Sequence, residues 1–125
     1  MEHEHTQHIA ASPDQVFAVL SDVSRLPEFV PQMTGARAGE GDDVVVDARY
    51  EGHTQHGEGW FRPDADRRRI EWGSRSSSYH GWMQVDPDGQ GSRLTLFLAT
   101  EHGDAPDGEV MGTLDSIRRL VERSV

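Results

Sequence analysis

Hydrophobic and polar positions change period twice along this 125-residue chain. Residues 6–10 alternate as a short strand that ends at Ser12-Pro13. Helical spacing takes over there. Ser12 can accept from a first-turn N–H as an N-cap, and Pro13 suits a first helical position, so a helix is predicted over 13–21. Val16, Phe17, Val19 and Leu20 give it one apolar face. A second short helical turn is expected over 24–29, with Leu26, Phe29 and Val30 on its apolar side and Pro27 and Pro31 limiting its length.

From Met33 the spacing returns to alternation, and it holds to His102. Gly39-Glu40-Gly41-Asp42, Pro63-Asp64-Ala65-Asp66, Ser76-Ser77 and Pro87-Asp88-Gly89 read as turns. Strands are predicted between them at 33–38, 43–53, 55–62, 67–75, 78–86 and 92–102. Gly103-Asp104-Ala105-Pro106 breaks the sheet, and a last helix is predicted over 107–123. Val110, Leu114, Ile117 and Val121 form its apolar stripe, while Arg118, Arg119 and Arg123 complement the dipole near its C-terminus.

Register follows from the turns. A two-residue loop at Ser76-Ser77 places Trp72 opposite Gly81, Ile70 opposite Met83 and Ser74 opposite Tyr79. A glycine opposite an indole leaves room for the ring. Leu94, Leu96 and Leu98 then share a face with Tyr79, Met83 and Val85, and Val44, Val46, Ala48 and Tyr50 form the apolar side of their strand. Strand 55–62 carries His56, Glu58 and Trp60 on one face and Gly57, Gly59 and Phe61 on the other. The first face is expected inward; a one-residue slip reverses it. The whole reads as one α+β domain over 1–125. An antiparallel sheet of about seven strands curves around a long C-terminal helix, and two short helices follow the first strand.

Composition narrows the function. The net charge is −10, and every basic residue is arginine. A surface of that sign argues against nucleic acid and against anionic lipid headgroups as partners. With no cysteine, disulfides, thiolate chemistry and Cys-type zinc sites are excluded. No apolar run approaches a membrane span, and the polar start Met1-Glu2-His3-Glu4-His5 is unlike a signal peptide, so a soluble cytoplasmic protein is expected.

The segment from His8 through Ile9-Ala10-Ala11-Ser12-Pro13 to Val16-Phe17 and Leu20-Ser21-Asp22 resembles the opening motif of the START and birch-pollen-allergen-like superfamily. Leu26-Pro27-Glu28-Phe29-Val30-Pro31 is similar to a stretch of its polyketide cyclase/dehydrase branch, and Gly91-Ser92-Arg93-Leu94-Thr95 to a later element. The resemblance implies a helix-grip fold. It also implies a cavity that serves lipid carriers, hormone receptors and aromatic polyketide cyclases alike.

Candidate chemistry is sparse. His3 and His5 would share a strand face, with His8 on the other; no metal site is assigned, and solvated histidines are the simpler reading. No nucleophile elbow or phosphate loop is present. Glu71 is expected outward, beside Arg67-Arg68-Arg69, a run read as a solvated strand edge. The expected inward set is Tyr50, His56, Glu58, Trp60, Trp72, Tyr79 and Met83, closed by Met111, Leu114 and Phe29: apolar walls with a few polar groups, the character of a ligand pocket. Three readings stay open. The first is binding of a hydrophobic or aromatic small molecule, without catalysis and without a cofactor. The second is a cyclase or dehydratase in which His56 and Glu58 move protons and Tyr50 or Tyr79 hydrogen-bonds an enolate. The third is a module whose groove receives a partner protein. Monomer and homodimer are both compatible with the sequence.

Overall fold

The structure is a computed structural model that describes residues 2–30, 33–50, 52–75, 79–99 and 107–124, apart from the side chains of Tyr50 and of residues 107–110. The expected breaks at Ser76-Ser77 and Gly103–Pro106, and the Tyr50 side chain, lie outside the described residues.

The elements run β1 (Glu2–Ile9), α1 (Pro13–Leu20), a 3-10 turn (Val23–Arg25), α2 (Leu26–Phe29), β2 (Met33–Ala38), β3 (Asp43–Tyr50), β4 (His53–Asp64), β5 (Arg69–Ser74), β6 (His80–Asp88), β7 (Gly91–Ala99) and α3 (Asp107–Ser124). One antiparallel sheet of seven strands has the order β1-β7-β6-β5-β4-β3-β2, so the first strand pairs with the last. This is the helix-grip arrangement. Its core joins Ile9 of β1, Leu94 of β7 and Val85 of β6 to Ile117 and Val121 of α3, all buried, with Val16 and Leu20 of α1 closing that end. Among the described residues no helix is long and apolar enough to cross a membrane.

Local chemistry starts α1 as expected. Ser12 Oγ accepts from the Gln15 N–H at 3.2 Å, and Gln15 Oε1 accepts from the Ser12 N–H at 3.0 Å, a complete capping box. Ser12→Ala is expected to lower stability by about 1 kcal/mol in urea denaturation, and Ser12→Gly by only a few tenths. On α3, Leu114, Ile117 and Val121 of the predicted stripe are buried, joined by Leu120. Glu122 Oε2 accepts from the Ala10 N–H at 2.9 Å, which ties the end of α3 to the exit of β1.

A carboxylate–arginine chain runs along the same helix. Asp115 accepts from Arg118 at 2.7 Å, and Arg118 also reaches Glu122. The Arg118 hydrogen bond holds the Asp115 carboxyl below the ordinary aspartate range, and Asp115 in turn raises the arginine. A depressed carboxyl pKa stabilises the fold above the unfolded value and ceases to as pH falls through the folded value. The carboxyl carbon of Asp115 should therefore titrate in NMR at lower pH than an unpaired aspartate. Arg118→Gln should move it back up.

Several boundaries differ from expectation. β6 runs on through Pro87 and Asp88, which pair with Ser92 and Gly91, so the turn is at Gly89 and Gln90 rather than 87–89. β5 starts at Arg69 rather than at 67. β1 starts at Glu2 rather than near Thr6, because its polar-on-polar alternation hides a strand. Pro63 and Asp64 continue β4 at its solvent-facing end, and the turn lies at 65–68, where Arg68 has φ 50°. Tyr50 pairs with His53, so a two-residue connection with Gly52 at φ 81° joins β3 to β4. The expected connection was at residue 54.

Candidate functional site

That last difference reverses β4. Val44 faces Gly59 and Val46 faces Gly57 across the β3–β4 ladder, and Phe61 faces Trp72 across β4–β5. Phe61 is buried on the inner side at 6% exposure. His56, Glu58 and Trp60 consequently point to the outer face, away from α3. They do not converge with Trp72 and Tyr79, contrary to the expected inward parity. The physical reason is the glycines. The Tyr50–His53 connection puts Gly57 and Gly59 on the concave side. At Gly59 a Cβ would collide with the Gly73 carbonyl oxygen, so nothing larger fits there and the bulky neighbours go outside.

The outer aromatics have partners of their own. The Trp60 ring lies over Gly73, where a Cβ would come within 2.6 Å of it, and Arg62 stacks on Trp60 at 4.6 Å. Arg69 stacks on Trp82 at 4.3 Å, and Trp82 stacks on Phe97 at 5.5 Å. Glu71 faces outward as expected and pairs with Arg69 at 3.3 Å. Arg62 also donates to Asp42 and holds that carboxyl below its ordinary range.

On the inner face the β5–β6 hairpin has its expected register: Ile70 faces Met83, Trp72 faces Gly81, and the Ser74 N–H donates to the Tyr79 carbonyl at 2.9 Å. The Trp72 indole N–H points to the Tyr79 hydroxyl at 3.4 Å. The two ends of the space between sheet and α3 then differ. One is closed by the core already described. At the other, Trp72, Val46, Ala48 and Leu98 are half-buried and Tyr79 is 36% exposed; on α3, Met111 is 58% exposed. Its floor lacks side chains at Gly57. Among the described residues the only atom within 4 Å of a Cβ placed there is Val46 Cγ2, at 3.5 Å. Phe29, Met83 and Leu114 of the expected pocket set are buried between the two ends, at 2%, 4% and 2% exposure.

The early start of β1 adds polar groups to that face. His3 faces Leu98 and His5 faces Leu96, so both imidazoles stand on the inner side, half-buried. His8 turns outward and contacts Asp88 at 3.1 Å. The His3/His5 parity was legible, and Ile9, buried on the same parity, was the one apolar residue that marked the face as inner.

Residues 2–125 match the family described as polyketide cyclase / dehydrase and lipid transport. The chain belongs to this family. No curated protein sequence matches it. Among solved structures it is similar to TTHA0849 from Thermus thermophilus, with TM-score 0.81, 19% identity and 99% of each chain covered. It is similar to the Zhui aromatase/cyclase from Streptomyces sp. R1128 at TM-score 0.81 and 18% identity, over 98% of this chain and 94% of that one. A START superfamily protein from Mycobacterium smegmatis matches at TM-score 0.76 and 16% identity, over 99% of each. At such identities these likenesses establish the fold, and the cyclase/dehydrase and lipid transport family spans chemistry and carriage alike.

Proposed function

We propose that this family member binds a hydrophobic, aromatic small molecule, lipid- or polyketide-like, between the inner sheet face and α3. The observation that carries the reading is the contrast between the two ends of that space. Trp72, Tyr79 and Met111 remain partly or largely exposed and Gly57 leaves its stretch of the inner face bare, while Ile9, Leu94, Val85, Ile117 and Val121 are fully packed. Large apolar groups left open around a concave floor are what an apolar ligand covers. Tyrosine and tryptophan add one hydrogen-bonding handle each. Phe29, Met83 and Leu114 form the buried wall behind the ligand.

A catalytic reading has one specific observation in its favour, the two half-buried histidines His3 and His5 on the inner face. A cyclase or dehydratase built on this chain would move protons with those imidazoles and steady an enolate with the Tyr79 hydroxyl. His56 and Glu58 face away from that space.

The chain holds three tryptophans, and two of them, Trp60 and Trp82, lie on the outer face. A Trp60→Phe/Trp82→Phe variant therefore leaves Trp72 as the single reporter. Titration of that variant with aromatic polyketides and fatty acids should give saturable quenching, weakened by Tyr79→Ala, and native mass spectrometry should detect the bound mass. No adduct and no saturable change across the panel would overturn the reading.

A further inference from the structure

The outer face of the sheet carries a second site, built by β2, β3 and β4. A cleft of about 180 Å³ is lined there by Ala36, Arg37, Val45, Asp47 and His56. Its construction begins with a bulge, where the pairing of β2 with β3 slips between Met33 and Gly35. Gly35 gives the Asp47 side chain its place: Asp47 Oδ2 lies 3.3 Å from where a Cβ on that glycine would stand. The Thr34 hydroxyl donates to the Asp47 carbonyl at 3.3 Å. Held in this way, Asp47 pairs with Nδ1 of His56, its direct neighbour across the β3–β4 ladder. Nε2 is then the ring nitrogen left to meet a ligand.

Charge points to what that ligand is. Arg37 and Arg49 make no ion pair or hydrogen bond among the described residues, and both belong to this corner. Arg37 lines the cleft; Arg49 follows Asp47 by two positions on the same face, about 7 Å along the strand. The other arginines are engaged, by carboxylates or, for Arg123, by the Arg119 carbonyl. In a chain of net charge −10, two guanidiniums without a carboxylate partner among the described residues stand at one corner beside a histidine held by a carboxylate, the makings of a local anion site.

We propose that this cleft binds a small oxyanion, the carboxylate or phosphate group of a metabolite, gripped by the planar fork of Arg37 and by the ring N–H of His56 at Nε2. Its volume is below the roughly 300 Å³ at which pockets for drug-sized ligands begin, so it takes one such group with a short apolar stem over Val45. The charged groups facing it are Arg37 from β2, Asp47 and Arg49 from β3, and His56 and Glu58 from β4. Asp47 and Glu58 offset the two arginines in net charge, so the grip rests on the local geometry of the Arg37 fork and the His56 ring.

The test is an NMR titration of the full chain with sodium phosphate and, separately, sodium acetate at constant ionic strength, read at the amides of Arg37, Val45, Asp47 and His56. Saturable shifts confined to this corner are expected, about tenfold weaker in Arg37→Gln and in His56→Phe. Gly35→Ala, which crowds Asp47, should weaken binding while the arginine remains. Saturation by phosphate alone assigns a phosphate group, and saturation by acetate assigns a carboxylate. Shifts that never saturate, that spread over all arginines, or that survive Arg37→Gln unchanged would overturn the proposal. The inner chamber lies on the other face of the sheet, so its tryptophan titration reads independently of this one.

Discussion

Gly81→Ala is expected to destabilise the protein by about 3 kcal/mol, at the upper end of what overpacking a single methyl costs. The added Cβ would stand 2.5 Å from the Phe97 carbonyl oxygen, 2.7 Å from Trp72 Cζ2 and 2.9 Å from Leu98 Cδ2. Two of these neighbours are side chains that can move. The third is backbone within the β6–β7 ladder and moves only if the sheet does. Urea denaturation of Gly81→Ala, Trp72→Leu and the double variant separates the two. If the indole is the main obstacle, the double variant recovers most of the loss, and a large coupling energy appears. If the carbonyl is, the losses nearly add. Gly112→Ala is the control. Among the described residues nothing lies within 4 Å of a Cβ there, and alanine in a helix should gain roughly 0.5–1 kcal/mol. A Gly81→Ala protein as stable as the parent would refute the register of β5 on β6.

The same glycine explains why so much of the fold is legible in the sequence. A ring and an empty position must face each other, and a short loop permits only one alignment, so Trp72–Gly81 fixes the hairpin without further information. α1 was equally readable, because Ser12, Pro13 and Gln15 each have one sensible place at a helix start. The stripe on α3 needed only the 3.6-residue period. β4 defeated the same reasoning because its apolar residues lie on both parities. Trp60 counts as a core residue by composition, yet its place outside is made stable by Gly73 beneath it and Arg62 above it. Gly57 and Gly59 count as turn formers, yet they are the concave floor. The available signal was Gly52. A glycine two positions after Tyr50 marks the connection, and a connection there sets Val44 against Gly59 and brings Phe61 inward. Misplacing that connection was enough to turn His56 and Glu58 from candidate acid–base groups of the chamber into outer-face residues. His3 and His5 were missed for a different reason: Ile9 marked their face, but the partner that buries it, β7, lies at the far end of the chain.

Gly57→Phe is expected to weaken binding of the chamber's ligand at least a hundredfold, about 2.7 kcal/mol, with the fold retained. Gly57 lies mid-strand on the inner face with ordinary backbone geometry, opposite Val46, so a phenyl ring added there extends from the sheet into the open space on its inner side. If that space is the ligand's, the ring takes it. Stability should stay level or rise, since an aromatic residue suits a strand better than glycine and buries its own surface. Fluorescence from Trp72 in the Trp60→Phe/Trp82→Phe background reports the loss of response to ligand, and urea denaturation reports the stability. Trp60→Phe alone changes a ring on the outer face and should leave the affinity where it was. Two other results are possible, and each is decisive. A Gly57→Phe protein that binds as well as the parent places the ligand elsewhere than over the glycine floor. One that unfolds shows the space to be filled already, and α3 then grips a dry core.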